Sequence, residues 1–361
     1  METTIEEVAR LVAASAPLLV KTLDPADRPA VRRWDAFVNG CPEATFFHKS
    51  GWQQVLKESF GHRTHFLYAE RSGAIEGVLP LAQVKSVLFG NSLVSLPFAV
   101  YGGVAASSPA AVEALEREAQ AIATRLGVEH LELRNLQHRH AEWPLQDLYV
   151  RFRKELEPTL EANMLAIPRK QRAMVRKGIK NGLRSEIDKD LSRFFVLYAD
   201  NVHRHGTPAL PRRYFEILQR VFASDCEALT VVDGNGRPLS VVLSFYFRDE
   251  VLPYYAGDDV SARQLAANDF KYWELMRRSC ERGLKIFDYG RSKQGTGSYS
   301  FKKNWGFEPQ PLFYEYCLYS RDSIPQNNPA NAKYQLLIKT WRRLPIGLAN
   351  WLGPFIVRNL G

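Results

Sequence analysis

The densest run of residues able to act on a substrate extends from Asp288 to Phe307. It reads Asp-Tyr-Gly-Arg-Ser-Lys-Gln-Gly-Thr-Gly-Ser-Tyr-Ser-Phe-Lys-Lys-Asn-Trp-Gly-Phe. Gly290, Gly295 and Gly297 permit close backbone approach to a ligand. Arg291, Lys293, Lys302 and Lys303 bring positive charge to where a phosphate or a developing oxyanion would sit. Trp305 and Phe307 are expected to anchor the segment to a core. The spacing predicts a strand end, a Gly-rich loop, then a basic-aromatic segment. Asp288 has two open roles: orienting a substrate amine, or hydrogen bonding to the loop that follows it.

A second run, Arg169 to Arg184, holds seven basic residues and no acid. Arg169, Arg172, Arg176 and Lys180 fall on one face of a helix, with Met174 and Val175 on the other. Such a stripe suits a polyanion, or is simply a solvated helix face. His48, His203 and His205 are candidate acceptor contacts or proton relays, with capping as the plain alternative. His203 and His205 point to different faces of a helix and make a poor metal site, and His138 and His140 are no better. No metal and no cofactor is expected. Tyr254 and Tyr255 default to core packing. Neither a Ser-His-Asp nor a Cys-His set is legible, which favours direct attack by an acceptor over a covalent enzyme intermediate.

These residues need elements to hold them, and the chain offers similar elements twice. Pro97-Phe98-Ala99-Val100-Tyr101-Gly102 and Gly127 to Leu133 recur, at one common offset, as Pro253 to Asp258 and Gly283 to Tyr289. The first half predicts strands at 64–70, 75–84 and 92–96, a helix at 110–126 closed by Gly127, and a strand at 130–134. The second predicts strands at 228–232, 239–247 and 251–256, a helix at 268–282 closed by Gly283, and strands at 285–289 and 312–319. This is an α+β pattern, with expected domains 1–155 and 156–320 and a tail 321–361.

The chain has 361 residues, 45% hydrophobic and 24% charged, which suits two soluble globular domains. Its net charge of +9 favours anionic partners. Cys41, Cys226, Cys280 and Cys317 form no CxxC pair, which argues against a zinc ribbon or a disulfide scaffold and fits a reducing cytoplasm. The apolar run Val8–Val20 follows Glu2, Glu6 and Glu7 rather than a basic segment, unlike a secretory signal. In the tail, Leu337, Trp341, Leu344, Leu348, Trp351 and Phe355 keep helical spacing among Lys339, Arg342, Arg343 and Arg358, with breaks expected at Pro345 and Pro354. This tail either docks on the first domain or lies peripherally on the inner face of the cytoplasmic membrane.

The segment from Asp288 to Phe307 resembles the closing motif of FemAB-type proteins, members of the Fem family of peptidoglycan aminoacyltransferases. In that motif a strand ending in Asp-x-Gly-Arg-Ser precedes Phe-Lys and Gly-Phe. The Arg-Ser variant with Gly-Thr-Gly resembles FemAB-like proteins associated with exosortase (PEP-CTERM) systems. Phe46-Phe47-His48 with Trp52, Gly206-Thr207-Pro208 with Tyr214-Phe215, and the helix 268–282 extend the resemblance over most of the chain. The coiled-coil arm of some members is missing. The resemblance implies two tandem GNAT-like domains, with the donor bound mainly by the second. It further implies transfer of an acyl or aminoacyl group to an amine of a cell-envelope precursor, either a small molecule or a lipid-linked glycan.

Lys302 occupies the family's reaction-centre position, where an ammonium would stabilise a tetrahedral intermediate. Asp288 and Tyr255 join it as catalytic candidates. Arg169, Arg172, Arg176, Arg291, Ser292, Lys293, Gly295, Thr296, Gly297, Tyr299 and Phe301 are candidates for the donor, an aminoacyl-tRNA or an acyl-CoA. His48, Trp52, Tyr101, His203 and His205 are candidates for the acceptor. The usual Gly-rich pyrophosphate loop of acetyl-CoA enzymes does not occur in this chain. Two other readings stay open: an acyl-CoA-dependent N-acyltransferase of exopolysaccharide synthesis, and a non-catalytic module that binds RNA or a carrier.

Overall fold

The computed structural model describes residues 16–86, 90–325 and 338–359. Leu337 and most of the run Val8–Val20 lie outside the described residues. The chain forms two compact units, Met1–Gln146 with Leu312–Ile324, and Asp147–Pro311 with Pro325–Leu360.

The first unit runs β1 (Leu19–Thr22), α1 (Arg28–Gly40), α2 (Gly51–Phe60), β2 (Arg63–Arg71), β3 (Ala74–Ser86), β4 (Gly90–Ser95), β5 (Ala105–Ala106), α3 (Pro109–Leu126), β6 (His130–Asn135) and β7 (Leu145–Gln146). The β2–β3 hairpin turns at Ser72 and Gly73, both at positive φ. Ser108 caps α3 by accepting from the Ala111 amide at 3.3 Å, and Gly127 ends it at φ +57°. Ala111, Leu115, Ala119 and Ile122 then lie on one face of α3 and pack with Leu79, Leu81, Leu131 and Leu133 of the sheet. The sheet order is β1-β2-β3-β4-β6, followed by the segment Phe313–Leu318 and β7. All neighbours are antiparallel except the β4–β6 pair.

The second unit runs β8 (Tyr149–Glu155), α4 (Leu160–Ala166), α5 (Arg169–Lys180), β9 (Arg184–Ile187), α6 (Ser192–His205), α7 (Arg212–Phe222), β10 (Cys226–Val232), β11 (Pro238–Phe247), β12 (Glu250–Asp258), α8 (Ala262–Leu265), α9 (Ala267–Glu281), β13 (Ile286–Lys293), α10 (Gly297–Asn304) and β14 (Pro309–Pro311). Its sheet order is β14-β8-β13-β12-β11-β10-β9, and only β12 and β13 are parallel. Phe270, Trp273, Met276, Phe287, Trp305 and Phe307 fill its core.

The repeat is real in topology. A hairpin, a third strand, a helix and a strand parallel to the third occur in both units, and Gly283, like Gly127, follows its helix at positive φ (+76°). The repeated aromatic-Gly segments differ. Pro253–Gly257 stays within β12, whereas Pro97–Tyr101 leaves the strand after β4. The Arg134 guanidinium donates to the Leu96 and Ala99 carbonyls of that segment at 3.2 and 2.6 Å, and Leu96 and Phe98 take positive φ there.

Strand membership differs from the linear domains. The segment Phe313–Leu318, now β15, was expected to complete the second half, yet it pairs with β6 in the first sheet. Conversely β8, inside the expected first domain, pairs with β13 in the second sheet. The tail also departs from expectation. Helix α11 (Ile346–Val357) runs through Pro354 and packs against α6 of the second unit.

Candidate functional site

Strands β12 and β13 pair only at Glu250 with Ile286 and Val251 with Phe287. Beyond that point they part. β12 continues along β11 with a bulge that leaves Tyr254 unmatched, while β13 turns to β8 with a bulge between Asp288 and Arg291. A wedge therefore opens between Leu252–Ala256 and Asp288–Gly290. Strand backbone that has left its ladder can pair with an amide-containing ligand.

The bulge in β13 depends on Gly290, whose φ of +61° strains any residue with a Cβ. Asp288, 1% exposed, accepts from the Gly290 amide at 2.7 Å. Of its two open roles, the loop hydrogen bond is therefore present in the structure. Lys302 reaches the bulge from α10. Its Nζ donates to the carbonyls of Tyr289 at 2.7 Å and Arg291 at 3.0 Å, and lies 3.5 Å from that of Gly290. The ammonium also sits between the rings of Phe152 and Tyr289, 5.6 and 5.7 Å from their centroids. Burial pushes Lys302 down to about 7, with the Asp288 carboxylate pulling the other way. An ammonium has three N–H groups. Two make good hydrogen bonds here, and the third, on the longest contact, is the one free to turn to a substrate oxygen.

The segment expected as a Gly-rich loop is mostly strand and a short turn, and the basic-aromatic segment after it is a helix. β13 extends to Lys293, only Gln294–Thr296 turn, and α10 starts at Gly297 with the Thr296 hydroxyl accepting from the Tyr299 amide at 3.4 Å. Gly295 is needed for its φ of +76°, and Gly297 faces open space, so neither is crowded by backbone. Trp305 and Phe307 are fully buried, each contributing roughly 1.5–3 kcal/mol. They fix α10 to the core.

The other donor candidates divide. Arg291 covers the Tyr149 ring at 4.8 Å, Tyr299 meets Phe152 edge-on at 5.4 Å, and Phe301 packs on Trp305. Lys293 is half-buried at the end of β13. The buried Ser292 hydroxyl has no hydrogen-bond partner among the described residues. The same holds for the hydroxyl of Tyr289, which sequence reasoning passed over. Its only signal in the sequence is its place between Asp288 and Gly290.

Arg169, Arg176 and Lys180 on α5 are exposed and Arg172 half-buried, and none of the four is in an ion pair among the described residues. The opposite face is fixed by Val175 and by Gly178, where an added Cβ would lie 2.8 Å from that of Phe270. Pro168, which precedes α5, touches the turn after α10, since a Cβ on Gly306 would lie 3.3 Å from the Pro168 ring. The stripe thus starts beside the closing segment.

Tyr255 borders the wedge, but its hydroxyl bonds to that of Tyr214 at 2.9 Å, and burial holds its proton well above the usual range. The acceptor candidates are engaged locally. His48 is buried, with Nδ1 accepting from the Thr45 amide at 3.0 Å and Nε2 bonded to the Gly103 carbonyl at 2.8 Å. Trp52 donates to the Phe46 carbonyl at 3.2 Å, and Tyr101 packs on Phe47. His203 bonds to the Trp341 carbonyl at 3.1 Å and His205 to that of Asn201 at 2.7 Å. No group of three His, Cys, Asp or Glu among the described residues is arranged to hold a metal.

Residues 169–303 match the acetyltransferase (GNAT) domain family. No curated protein matches the sequence. Solved structures share the fold at low identity. FemX aligns with a TM-score of 0.63 at 15% identity over 82% of this chain and 97% of that one. L-PGS from Bacillus licheniformis aligns at 0.55, with 11% identity over 90% and 99% of the two chains. A tandem GNAT protein from the clavulanic acid biosynthesis pathway aligns at 0.52, with 13% identity over 85% and 100%. Residues 169–303 thus carry a GNAT acetyltransferase domain, and the chain shares the fold of FemX and of a tandem GNAT protein, with two GNAT-like units.

Proposed function

We propose that this enzyme transfers an aminoacyl group from aminoacyl-tRNA to an amine of a cell-envelope precursor, a peptidoglycan unit or related glycan. The observation that carries this reading is where positive charge lies. Acyl-CoA enzymes bind a diphosphate at a helix start, where free amides attract anions. Here the first turn of α9 already holds Asp269, buried and accepting from Trp305 Nε1 at 3.0 Å. The cationic face is instead α5, whose several exposed charges suit a polyphosphate chain better than a single diphosphate.

In the proposed reaction the acceptor amine attacks the acyl carbonyl within the wedge and forms a tetrahedral intermediate. The third N–H of Lys302 donates to the oxyanion. Collapse expels the 3′-oxygen of the tRNA, which takes up a proton as the amine gives one up. Ser292 and Tyr289 offer unpaired hydroxyls to the acyl or peptidyl part.

The test is a binding and turnover screen of charged tRNAs against acyl-CoAs. Tight acyl-CoA binding and turnover without tRNA binding would replace the proposed donor and favour N-acylation in exopolysaccharide synthesis. Binding of RNA without turnover of any acyl donor would leave only a carrier-binding module.

A further inference from the structure

Helix α11 has two apolar faces and the body of the protein covers only one. Ala349, Gly353 and Val357 are buried, and a Cβ on Gly353 would lie 3.0 Å from the Ala209 carbonyl oxygen. These small residues let the helix lie close against its unit. On the other side Leu348 is 42% exposed, Trp351 64% and Phe355 59%. The Trp351 and Phe355 rings touch, with centroids 5.9 Å apart. Other large exposed apolar side chains among the described residues are scattered along the chain. Three within eight positions on one helix face form a patch.

The charge around this patch identifies what would cover it. Lys339, Arg342 and Arg343 before the helix and Arg358 after it are all exposed, and the sequence has no acidic residue after Asp322. A second copy would bring two sets of like charges together. An anionic surface with an apolar interior satisfies both features. At 12 residues α11 is too short to span a bilayer, and no helix among the described residues is long and apolar enough to do so.

We propose that this face of α11 docks on an anionic phospholipid bilayer, with Trp351 and Phe355 in the headgroup region and the flanking Lys and Arg residues against lipid phosphates. The docking does not depend on the identity of the acyl donor.

Co-sedimentation of the full chain with vesicles tests this. Phosphatidylcholine vesicles containing phosphatidylglycerol should bind at least about tenfold more protein than phosphatidylcholine alone, and added salt should reverse the difference. Trp351→Ser with Phe355→Ser should lower that binding at least about tenfold at an unchanged melting temperature, since both rings are exposed. Arg343→Gln and Arg358→Gln should each lower it about fivefold. Three results would overturn the proposal. One is equal binding to both vesicles. Another is undiminished binding of the Trp351/Phe355 variant. The third is a concentration-dependent dimer that the same variant abolishes, which would assign the face to a second copy.

Discussion

The Lys302 ammonium donates to the Tyr289 carbonyl at 2.7 Å. This bond ties the helix that carries the charge to the strand bulge that opens the wedge. Chemistry and local architecture therefore share one contact, and variants at Lys302 need both rate and stability readouts. Lys302→Met, which keeps an unbranched apolar stem, should lower the transfer rate at least tenfold, about 1.4 kcal/mol of barrier. Single-turnover transfer beside a melting curve checks this. Full activity in a folded variant would remove Lys302 from the reaction.

The lowered pKa of Lys302 gives its role a sign. Held down to about 7 by burial, the side chain is mostly charged below that pH and mostly neutral above it. If it acts as an ammonium towards an oxyanion, the single-turnover rate should fall as pH rises through about 7. A rate that rises with pH, and does so no longer in Lys302→Met, would instead make Lys302 a general base.

Two histidines should make the fold sensitive to acid. Burial lowers the pKa of His65 and His130 below the ordinary 6.5, although Glu132 and Glu129 partly offset this for His130. The unfolded chain then binds more protons than the folded one just below 6.5, so stability is fully present above that value and is lost as pH falls through the folded-state values. Urea titrations at pH 7.5 and 5.5 should show a smaller loss for His65→Leu with His130→Leu than for the wild type. An identical loss would show that other groups carry the acid sensitivity.

The α5 stripe should reveal the donor through salt. Arg172→Gln with Arg176→Gln should raise the apparent KM for a tRNA donor and flatten its salt dependence, since each phosphate contact adds roughly 0.7 to 0.9 to the logarithmic slope. A coenzyme A donor, with few phosphates, would show a shallow slope from the start. An unchanged KM and slope in the double variant would mark the stripe as a solvated surface.

The seat of that helix has its own test. Gly178→Ala would place a Cβ 2.8 Å from the Phe270 Cβ, closer than real carbons approach. The strain should cost about 1–3 kcal/mol of stability, read by denaturant titration. A neutral result would show that α5 can lift from α9 without loss.

The sequence by itself determined the local elements and their repetition. Alternation marked the two hairpins, the apolar stripe of α3 and its glycine stop marked the first helix, and residues 268–282 marked the second within a residue at either end. Those signals are written in side-chain period and backbone freedom over a few neighbouring residues. Lys302 was set apart from Arg291, Lys293 and Lys303 only by the resemblance to the FemAB closing motif.

Which sheet takes which strand was decided only by tertiary structure. β8 and β15 alternate as any strand does, and nothing in their own residues names β13 or β6 as partner; that depends on ladder edges formed by chain far away. The same holds for the site. The carbonyls that hold Lys302 are turned towards it by the bulge at Gly290, and the hydroxyls of Tyr289 and Ser292 lose their partners only through burial. His48 looks like a free imidazole in the sequence, and the Thr45 amide and Gly103 carbonyl that occupy it appear only once the chain is folded.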